Sequence, residues 1–582
     1  MSTVLPRILF AMLLVASLPA QQNAVQSQAL PRPAASSVPS QQGFRISGIV
    51  VNAATGQPLA SASVAIAPVN QGAERDVSKS VVTGTDGRFS FAGLRRGKYS
   101  LVGRARGFAF QAFDQHDAYS TAIAVGPELD SEHLMFRLQP DASIEGEVTD
   151  ENNDPVQYAV VRLFQTRITD GVQNTTPLNQ TQTDDQGHYH IAHLQPGAYY
   201  LAVSARPWYA QNTRPTTSAW NPAEGPYVPQ PQPVGQLDSA LDVTYPLTFY
   251  PDATDWADAS PLQLAPGARE TANVVLRAVP SLHLRIHTGG PAQNPALGRM
   301  IFPRVSQRIF SGYLDSVYNA PDSWVAPGVI EISGLAPGHY VIEVPPGTGP
   351  EKAASRSWYR ELDLTGDTDV NASDGPAFVN VSGTVLFENA PVPKGASIQL
   401  LNPETGENFR SEINAKGEFE FPTDNVRAGR YLMVLGSGHG FYLKKLVATG
   451  AKIVGRAVEM GPGSNVHLAA IASTGQAQVD GTALHDEKPF ASAMIVLVPQ
   501  DPGDNAPLFR RDQSDSDGTF TLPDVVPGPY TVIAIANGWD LDWSNPTVLQ
   551  SYMKRGEAVQ VPPGGKLQVK TQVQLVRIEG VE

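Results

Sequence analysis

A pattern of a glycine, two alternating apolar residues, a second glycine and a tyrosine recurs five times along the chain. In its first copy, Gly87 is followed by Phe89 and Phe91, and then by Gly97 and Tyr99. Self-similarity at intervals of about one hundred residues indicates a tandem array of similar folding units. The five copies run over 87–99, 187–199, 328–340, 417–431 and 518–530, and the fourth is two residues longer than the others.

Each position of the pattern has a physical reason. The first glycine supplies the positive φ of a tight hairpin, and Asp86-Gly87 is among the strongest signals for one. Phe89 and Phe91 share one face of a strand, because strands have a two-residue period, so both should point into a core. The tyrosine then opens another strand beside a corner, as the anchoring tyrosine of immunoglobulin-like sandwiches does. Each copy therefore predicts a pair of strands in a β-sandwich.

The units have similar beginnings. Strands with a central glycine open four of them, at Gly48, Gly146, Gly383 and Gly481, whereas the third opens at 282–286 without one. About one hundred residues suffice for some seven short strands and an independent core. The predicted fold class is all-β, a tandem array of five Ig-like or prealbumin-like β-sandwich modules. Their predicted boundaries are 44–140, 141–280, 281–377 (divergent), 378–475 and 476–582, with an aromatic-rich insertion at 207–258.

The first residues fit an export signal. Arg7 precedes an apolar run over 8–16 that is too short for a membrane span, and cleavage could follow Ser17 or Ala20. We expect a signal peptide at 1–20 and a flexible linker, rich in Gln, Ala, Ser and Pro, at 21–43. No later segment reaches about 18 apolar residues, so no membrane span is expected after signal cleavage.

Composition excludes several classes of function. The chain of 582 residues has 42 Lys and Arg against 56 Asp and Glu, a formal charge of −14. It has no Lys/Arg-rich run, so we expect no nucleic-acid partner. It also has no cysteine, which excludes disulfides, thiolate zinc sites and a cysteine nucleophile.

The order of opening glycine, Asp-Gly hairpin, Pro-Gly and tyrosine resembles the carboxypeptidase regulatory-like domains. These are prealbumin-type β-sandwiches related in fold to carbohydrate-binding modules, and the resemblance covers most of residues 44–582. It implies an accessory role, because this sandwich serves mainly as an accessory domain.

The sequence does not indicate an enzyme. None of the eleven histidines has a glutamate three residues later, which the zinc carboxypeptidases need. There is no His-Glu-x-x-His, no Gly-x-Ser-x-Gly and no phosphate-binding loop. We therefore expect no catalytic residues and no cofactor, although a carboxylate-only hydrolase would leave no motif.

Two groups of polar residues are candidates for metal binding. His188 and His190 alternate with apolar residues on one strand, and a solvent-facing strand explains them better than a chelate does. Asp512, Asp515 and Asp517 resemble a calcium loop in part, but the hairpin turn accounts for the same residues. The sequence therefore predicts no metal site, with a sandwich-edge calcium site as the alternative.

Aromatic residues are concentrated in the insertion at 207–258. Aromatic faces on a loop can stack on a sugar ring, so we take Trp208, Tyr209, Trp220 and Tyr227 as candidate carbohydrate-binding residues. The competing interpretation is that these rings cover a module end or pack against a neighbouring module. A second, weaker platform is predicted at Trp539, Trp543 and Tyr552.

These observations predict an exported, non-enzymatic protein with a scaffold, adhesive or interaction role at the cell envelope or outside the cell. Its expected partners are cell-envelope proteins or glycans, and its expected location is the periplasm, the cell surface or the medium. The alternative is a carbohydrate-binding protein that uses loop aromatics. A third hypothesis is an accessory protein with a cryptic hydrolase activity.

Overall fold

The computed structural model describes residues 43–69, 78–169, 171–212, 238–287, 303–310, 313–316, 322–326, 329–344, 358–371, 378–423, 425–436 and 440–576. The predicted signal peptide and, except for Gly43, the predicted linker lie outside these residues. Within these residues nearly all regular structure is β, with one α-helix, Pro546–Met553, and two short 3₁₀ helices, Trp256–Asp258 and Ala506–Leu508. Among the residues described, no helix is long and apolar enough to cross a membrane.

The strands form five successive β-sandwiches, which confirms the predicted fold class. We number them sandwich 1 to sandwich 5 in chain order; the exact boundaries expected from the sequence stay predictions. Sandwich 1 contains β1 (Phe44–Asn52), β2 (Ser63–Pro68), β3 (Lys79–Val82), β4 (Arg88–Leu94), β5 (Gly97–Arg104), β6 (Gln111–Ala112), β7 (Ile123–Val125) and β8 (Leu134–Leu138). Sandwich 2 contains β9 (Ala142–Thr149), β10 (Val160–Thr169), β11 (Val172–Gln182), β12 (His188–Leu194), β13 (Gly197–Ser204), β14 (Val243–Thr244), β15 (Thr248–Phe249), β16 (Leu262–Leu264), β17 (Arg269–Thr271), β18 (Val274–Val275) and β19 (Val279–Pro280).

The other three sandwiches contain the remaining strands. Sandwich 3 contains β20 (Leu282–His287), β21 (Arg304–Ile309), β22 (Tyr313–Ser316), β23 (Asp322–Ala326), β24 (Val329–Leu335), β25 (Gly338–Val344), β26 (Trp358–Leu364) and β27 (Thr368–Asn371). Sandwich 4 contains β28 (Asn380–Phe387), β29 (Ser397–Leu401), β30 (Asn408–Glu412), β31 (Glu418–Glu420), β32 (Gly429–Gly436), β33 (Tyr442–Thr449), β34 (Lys452–Val454), β35 (Ala457–Met460) and β36 (Asn465–Ser473). Sandwich 5 contains β37 (Ala477–His485), β38 (Lys488–Pro489), β39 (Met494–Pro499), β40 (Arg510–Gln513), β41 (Thr519–Val525), β42 (Gly528–Ala536), β43 (Glu557–Val561) and β44 (Lys566–Leu575).

One topology is repeated in all five sandwiches. The opening strand pairs antiparallel with the strand after the hairpin glycine, as β1 does with β4. On its other side the opening strand pairs parallel with the closing strand, as β1 does with β8. The same two pairings recur at β9, β20, β28 and β37. The repeated sequence pattern therefore corresponds to a repeated set of strand partners.

The residues predicted to point inward are in the cores. Phe89 and Phe91 are 3% and 4% exposed and share a cluster with Ile46, Val64 and Leu101, which come from both sheets of sandwich 1. The equivalent pairs in the other sandwiches are also buried: Tyr189 and Ile191, Ile330 and Ile332, Phe419 and Phe421, and Phe520 and Leu522. The inward direction predicted for these pairs is thereby confirmed, and in sandwich 3 the intervening Glu331 is buried as well.

The central glycine of the opening strand lies where the closing strand comes close, and in three sandwiches an aromatic ring does so as well. Gly383 pairs with Phe419 on one side and with Leu468 on the other, and a Cβ built on it would lie closer than 3.0 Å to both. Gly48, Gly146 and Gly481 likewise pair with Phe89, Tyr189 and Phe520. In sandwich 3 the equivalent pair is Ile286 with Ile330. The glycine is absent where the opposite residue is aliphatic.

The repeated tyrosine anchors the corner before its strand. The hydroxyl of Tyr199 donates to the carbonyl oxygen of Gln195 at 2.7 Å, four residues earlier. The tyrosines of sandwiches 1, 3 and 5 donate in the same way, from Tyr99 to Arg95, Tyr340 to Ala336 and Tyr530 to Val526. In sandwich 4, whose pattern is two residues longer, the buried Tyr431 hydroxyl makes no such bond. The predicted anchoring role is confirmed in four sandwiches.

Replacing these tyrosines by phenylalanine should separate the contribution of the hydrogen bond to stability from that of the ring. Tyr199→Phe removes the bond to the carbonyl of Gln195 and keeps the buried ring, so we expect sandwich 2 to lose about 1 kcal/mol of unfolding free energy. Tyr431→Phe removes a hydroxyl with no backbone partner, so we expect little loss in sandwich 4. Hydrogen exchange of amides in β13 and β32, followed by mass spectrometry, measures both. Equal losses would contradict the anchoring role.

The sandwiches also pack on one another. One cluster joins the outer face of sandwich 5, around Val496 and Ile533, to Leu432 of sandwich 4 and Val172 of sandwich 2. A second cluster places Phe310 of sandwich 3 against Phe164, Tyr200, Phe249 and Trp256 of sandwich 2. The array is therefore folded back on itself, because sandwich 5 contacts sandwich 2 as well as its neighbour in the chain.

Candidate functional site

Trp208 is the most exposed of the predicted carbohydrate-binding residues. Its side chain is 92% exposed, just after β13 and Pro207. Tyr209 is half-buried beside it, with the two ring centroids 5.7 Å apart and the planes at 84°. Perpendicular rings form a corner and not a flat platform, and the Trp208 side chain is the part of that corner that is open to solvent. Trp220 and Tyr227 lie outside the described residues.

Other aromatic rings of the insertion pack against the sandwiches. Tyr245 is 7% exposed and packs in the core of sandwich 2, and Tyr250 packs against the same core. Trp256 lies between the two extremes, because it is 42% exposed and contacts Phe310 of sandwich 3. The insertion therefore contains both rings that cover sandwich 2 and rings that remain open to solvent.

The histidines singled out in sandwich 2 are surface residues. His188 and His190 are exposed on β12, as the solvent-facing interpretation predicts, and His188 lies 3.9 Å from Asp184. Nearby His193 is bonded to Asp141 at 2.8 Å. Over the part of the chain that the structure describes, no group of three or more His, Asp or Glu is arranged to hold a metal ion.

The acidic turn of sandwich 5 binds a lysine from sandwich 1. Lys98 forms an ion pair with Asp515, lies 3.8 Å from Asp517, and donates to Thr519 at 2.5 Å. Its ammonium group therefore neutralises the carboxylates that resembled part of a calcium loop. Burial raises the pKa of neighbouring Asp512 to about 6, which disfavours the ionised form that a calcium ligand needs. This turn belongs to the contact between sandwiches 1 and 5.

An arginine and aromatic rings form the centre of that contact. The guanidinium of Arg511 lies 4.6 Å from the ring centroid of Trp543, 4.8 Å from Tyr119 and 5.5 Å from Trp539. It also donates to Asp117 of sandwich 1 at 2.7 Å. A cation among aromatic faces with a carboxylate partner is a favourable and specific contact. Tyr119 and Asp117 come from sandwich 1, so Arg511 connects the first sandwich to the last.

Hydrogen bonds complete the contact between these two sandwiches. The buried Gln513 amide donates to the carbonyl of Asp114 at 2.6 Å and to Thr121 Oγ1 at 2.8 Å. Ser492 Oγ is hydrogen-bonded to Thr121 Oγ1 and to Asp114 Oδ2. The His116 ring stacks on Trp539 of sandwich 5, with the ring centroids 4.7 Å apart and the planes at 6°. Because Gln513 and Thr121 are buried and bonded to each other, the contact is specific in register. Sequence reasoning missed these residues, since nothing in their local pattern marks a partner about four hundred positions away.

The prediction of a second exposed aromatic platform at Trp539, Trp543 and Tyr552 is wrong. Trp543 and Tyr552 are 7% and 3% exposed and belong to the cluster on the outer face of sandwich 5. Trp539 packs against His116 and Arg511 in the contact with sandwich 1. The physical reason is that this face of sandwich 5 is covered by other sandwiches, so its rings are used in packing.

A buried histidine links sandwiches 2 and 3. His283 Nε2 lies 2.7 Å from Asp242 Oδ2, and its Nδ1 lies 3.5 Å from Glu331 Oε1. Arg285 donates to the other oxygen of Glu331 at 2.8 Å. The Glu331 and Asp242 carboxylates raise the pKa of His283 to about 9, against the opposing effect of burial. The imidazolium is therefore the form that holds this joint near neutral pH.

Stability at this joint should fall as the pH rises. His283 has a folded-state pKa of about 9 and a reference value of 6.5, so its stabilisation is complete below about pH 6.5 and is lost through pH 9. We expect a loss on the order of 3 kcal/mol at pH 10 relative to pH 6. Urea unfolding at both pH values measures it. The control is His283→Gln, in which this part of the pH dependence should vanish; parallel curves for the two proteins would contradict the assignment.

A buried arginine joins sandwiches 3 and 4. Arg427 pairs with Glu407 of its own sandwich and donates to Glu343 of sandwich 3 at 2.5 Å. Its guanidinium lies 5.4 Å from the ring centroid of Tyr359, whose hydroxyl accepts from the amide of Ala428 at 3.0 Å. Such a contact is geometrically specific, because both carboxylates depend on one cation.

Comparisons with known proteins bear on the fold of the first two sandwiches. Residues 45–125 and 143–223 each match the family described as the carboxypeptidase regulatory-like domain. A comparison with curated proteins found no match.

Several solved structures are similar to the chain at low identity. A Streptococcal ancillary pilin is 10% identical over 50% of this chain and 98% of its own, with a TM-score of 0.18. The Bacillus anthracis TIE protein is 10% identical over 89% and 69%, with a TM-score of 0.14. GBS52, a minor pilin of Streptococcus agalactiae, is 10% identical over 41% and 97%, with a TM-score of 0.20. The resemblance predicted from the repeated pattern is thus confirmed by two copies of the carboxypeptidase regulatory-like domain, at 45–125 and 143–223.

Proposed function

We propose that this chain is an exported, non-enzymatic scaffold that presents five β-sandwiches as one rigid body at the cell envelope or outside the cell. The observation that supports this proposal most directly is the set of contacts that sandwich 5 makes with other sandwiches. It is joined to sandwich 1 through Lys98 and Arg511, to sandwich 2 through Val172, and to sandwich 4 through Leu432. Contacts between consecutive modules alone would leave a flexible string, whereas contacts between distant modules fix relative positions.

Rigidity matters for such a role because it lowers the entropy lost when several surfaces engage one partner or one layer of the envelope. A flexible array has to order its modules during binding, and that cost reduces affinity. In the folded-back array the internal contacts already order the modules, so this entropy is not lost during binding. The proposed partners are therefore extended ones, such as cell-envelope proteins or polymers, which several sandwiches can contact together.

Opening the contact between sandwiches 1 and 5 tests the scaffold. We expect small-angle scattering of the full chain to give a compact particle, and the double variant Lys98→Ala/Arg511→Ala to give a larger radius of gyration. Amide exchange in β7 should accelerate about tenfold or more, since each 1.4 kcal/mol of lost contact energy is a factor of ten. Lys452→Ala is the control, because Lys452 is an exposed surface residue paired only with Glu459 in its own sandwich. An extended wild-type particle would contradict the rigid scaffold.

Location is tested separately from rigidity. Fractionation of cells that produce the full chain with a C-terminal epitope should place the processed protein in the envelope or the medium. Recovery of the unprocessed chain in the cytoplasm would contradict export. Activity panels with polysaccharide and peptide substrates test the non-enzymatic part of the proposal, and hydrolysis that depends on a carboxylate of the chain would favour the hydrolase hypothesis.

Carbohydrate binding is the second candidate function, and the exposure of Trp208 favours it. A tryptophan that is 92% exposed costs free energy in water unless a ligand covers it. An affinity gel of immobilised polysaccharide should retard the wild-type chain and lose that retardation in Trp208→Ala. Because Trp208 makes few contacts, this variant should fold normally, and unchanged retardation would exclude Trp208 as a binding residue.

A further inference from the structure

A groove lies where the outer face of sandwich 2 meets sandwich 3. It has a volume of about 270 Å³ and is lined by Thr166, Gln173, Thr175, Tyr200, Trp256 and Phe310. We call it the Trp256 groove. Its lining includes neither Trp208 nor Tyr209, so a ligand bound there would be a function beyond the proposed scaffold and independent of Trp208.

One wall of the Trp256 groove is aromatic. Phe310 is buried, and its ring centroid lies 5.2 Å from that of Tyr200 and 5.8 Å from that of Trp256. Trp256 is held at the rim by a 3₁₀ helix whose cap residue Asp255 accepts from the amide of Ala257 at 2.9 Å. The indole is thus fixed by packing on one side and 42% exposed on the other. A ring held in this way can stack on a ligand without losing much conformational entropy.

The other wall is polar, and the register of the β10–β11 hairpin explains it. Thr166 pairs directly with Thr175, and their hydroxyl oxygens are 2.8 Å apart. Gln173 lies two residues from Thr175, so its side chain is on the same face of the hairpin. Thr166 lies two residues from Phe164, which pairs with Tyr200, so all these groups face one side. The hairpin therefore presents hydroxyl and amide groups in a row on the same face as Tyr200, beside the rings of Trp256 and Phe310.

The chemistry of these walls selects the class of ligand. The lining contains no charged side chain, so it offers no counter-charge to a phosphate, a sulfate or a uronic acid. Aromatic rings facing a row of hydroxyl and amide groups match a pyranose, which has apolar C–H faces and a rim of hydroxyls. The volume accommodates about one such ring. A longer chain of sugars would extend beyond the groove into solvent.

We propose that the Trp256 groove binds one pyranose unit of a neutral oligosaccharide. The ring stacks against Trp256, and its hydroxyls bond Gln173 and the Thr166–Thr175 pair. Because Phe310 comes from sandwich 3 and the other groups from sandwich 2, the site exists only when these two sandwiches are packed together. Sugar binding would therefore also stabilise the joint between them, by linkage.

Titration calorimetry of the full chain with cellohexaose, mannohexaose and chitohexaose tests the proposal. We expect at least one of them to bind. Trp256→Ala should weaken its Kd about tenfold or more, and Gln173→Ala about three- to tenfold, as expected for losing a stacked ring and one hydrogen bond. Trp256→Phe should keep most of the affinity. Gln173 is exposed, so its variant remains informative even if Trp256→Ala loosens the joint.

Tyr158→Ala is the matched control, because it removes an exposed aromatic side chain from sandwich 2 outside the groove, and it should leave the Kd unchanged. Trp208→Ala separates the groove from the loop-aromatic site. If it abolishes binding while the Trp256 and Gln173 variants bind normally, the groove proposal is overturned and the loop-aromatic hypothesis is supported. Absence of heat with all three sugars up to about 10 mM, corresponding to a negligible affinity, also overturns it. Preference for a hyaluronan hexasaccharide would overturn the neutral class.

Discussion

Gly383→Ala is expected to destabilise sandwich 4 by about 3 kcal/mol or more, the upper end of what overpacking costs. The added methyl group would lie closer than 3.0 Å to the carbonyl oxygen of Leu468 and to the ring of Phe419. Neither neighbour can retreat easily, since the first is backbone of the paired strand β36 and the second is buried in the core. The strands have to separate or the ring has to leave its position.

Hydrogen exchange of the amides in β28 and β36 measures this effect within one sandwich of the full chain, where a single unfolding transition is not guaranteed. Gly461→Ala is the matched control. It adds the same methyl group in the same sandwich at a position with no heavy atom within 4 Å, so protection should be unchanged. If the amides also stayed fully protected from exchange in Gly383→Ala, the close approach of the closing strand and the ring would not be the reason for a glycine at this position.

This pairing of glycine with an aromatic residue also explains why the third unit is the hardest to delimit from the sequence. In sandwich 3 the residue opposite the opening strand is Ile330, and the position of the glycine is taken by Ile286. Two branched aliphatic side chains fill the space that a glycine and a ring fill elsewhere. The two changes compensate each other, so the strand partners persist although the sequence signal disappears.

The fold could be predicted because its signals are local. A hairpin glycine needs only its own φ, which is 71° at Gly87 and 83° at Gly417, and the alternation of Phe89 and Phe91 needs only the period of a strand. The anchoring bond of Tyr199 reaches back four residues. Each of these features is decided within a dozen positions, so a pattern in the sequence can report it.

The contacts between sandwiches could not be predicted in this way. Lys98 and Asp515 are separated by 417 positions, and both residues have an ordinary local explanation, a strand surface and a hairpin turn. From the sequence alone, Trp543 resembles an exposed loop aromatic, whereas in the structure it is buried in a cluster that other sandwiches cover. Exposure depends on the packing of whole sandwiches, so the sequence could not distinguish Trp208, which is exposed, from Trp543, which is buried.

Removing the cation between sandwiches 3 and 4 should have the second large effect. Arg427 is 5% exposed and contacts both Glu407 and Glu343. Arg427→Met keeps an apolar stem of similar length but leaves two carboxylates facing each other without a counter-charge. Breaking a buried ion pair by removing one partner costs about 3–5 kcal/mol, because the remaining charge stays desolvated. We expect a loss of this size, shared between the edge of sandwich 4 and the joint with sandwich 3.

The location of the loss distinguishes a joint from a simple core contact. Exchange should accelerate in β25 and β26 of sandwich 3 as well as in β32 of sandwich 4, since Glu343 and Tyr359 lose the same partner. Adding Glu407→Gln to Arg427→Met should recover part of the loss, because one uncompensated charge is removed. Lys452→Met, which breaks the exposed pair with Glu459, should cost no more than about 1 kcal/mol. If only β32 responded to Arg427→Met, the arginine would serve sandwich 4 alone, and sandwiches 3 and 4 would be held together by their apolar contact of Tyr359 with Phe378.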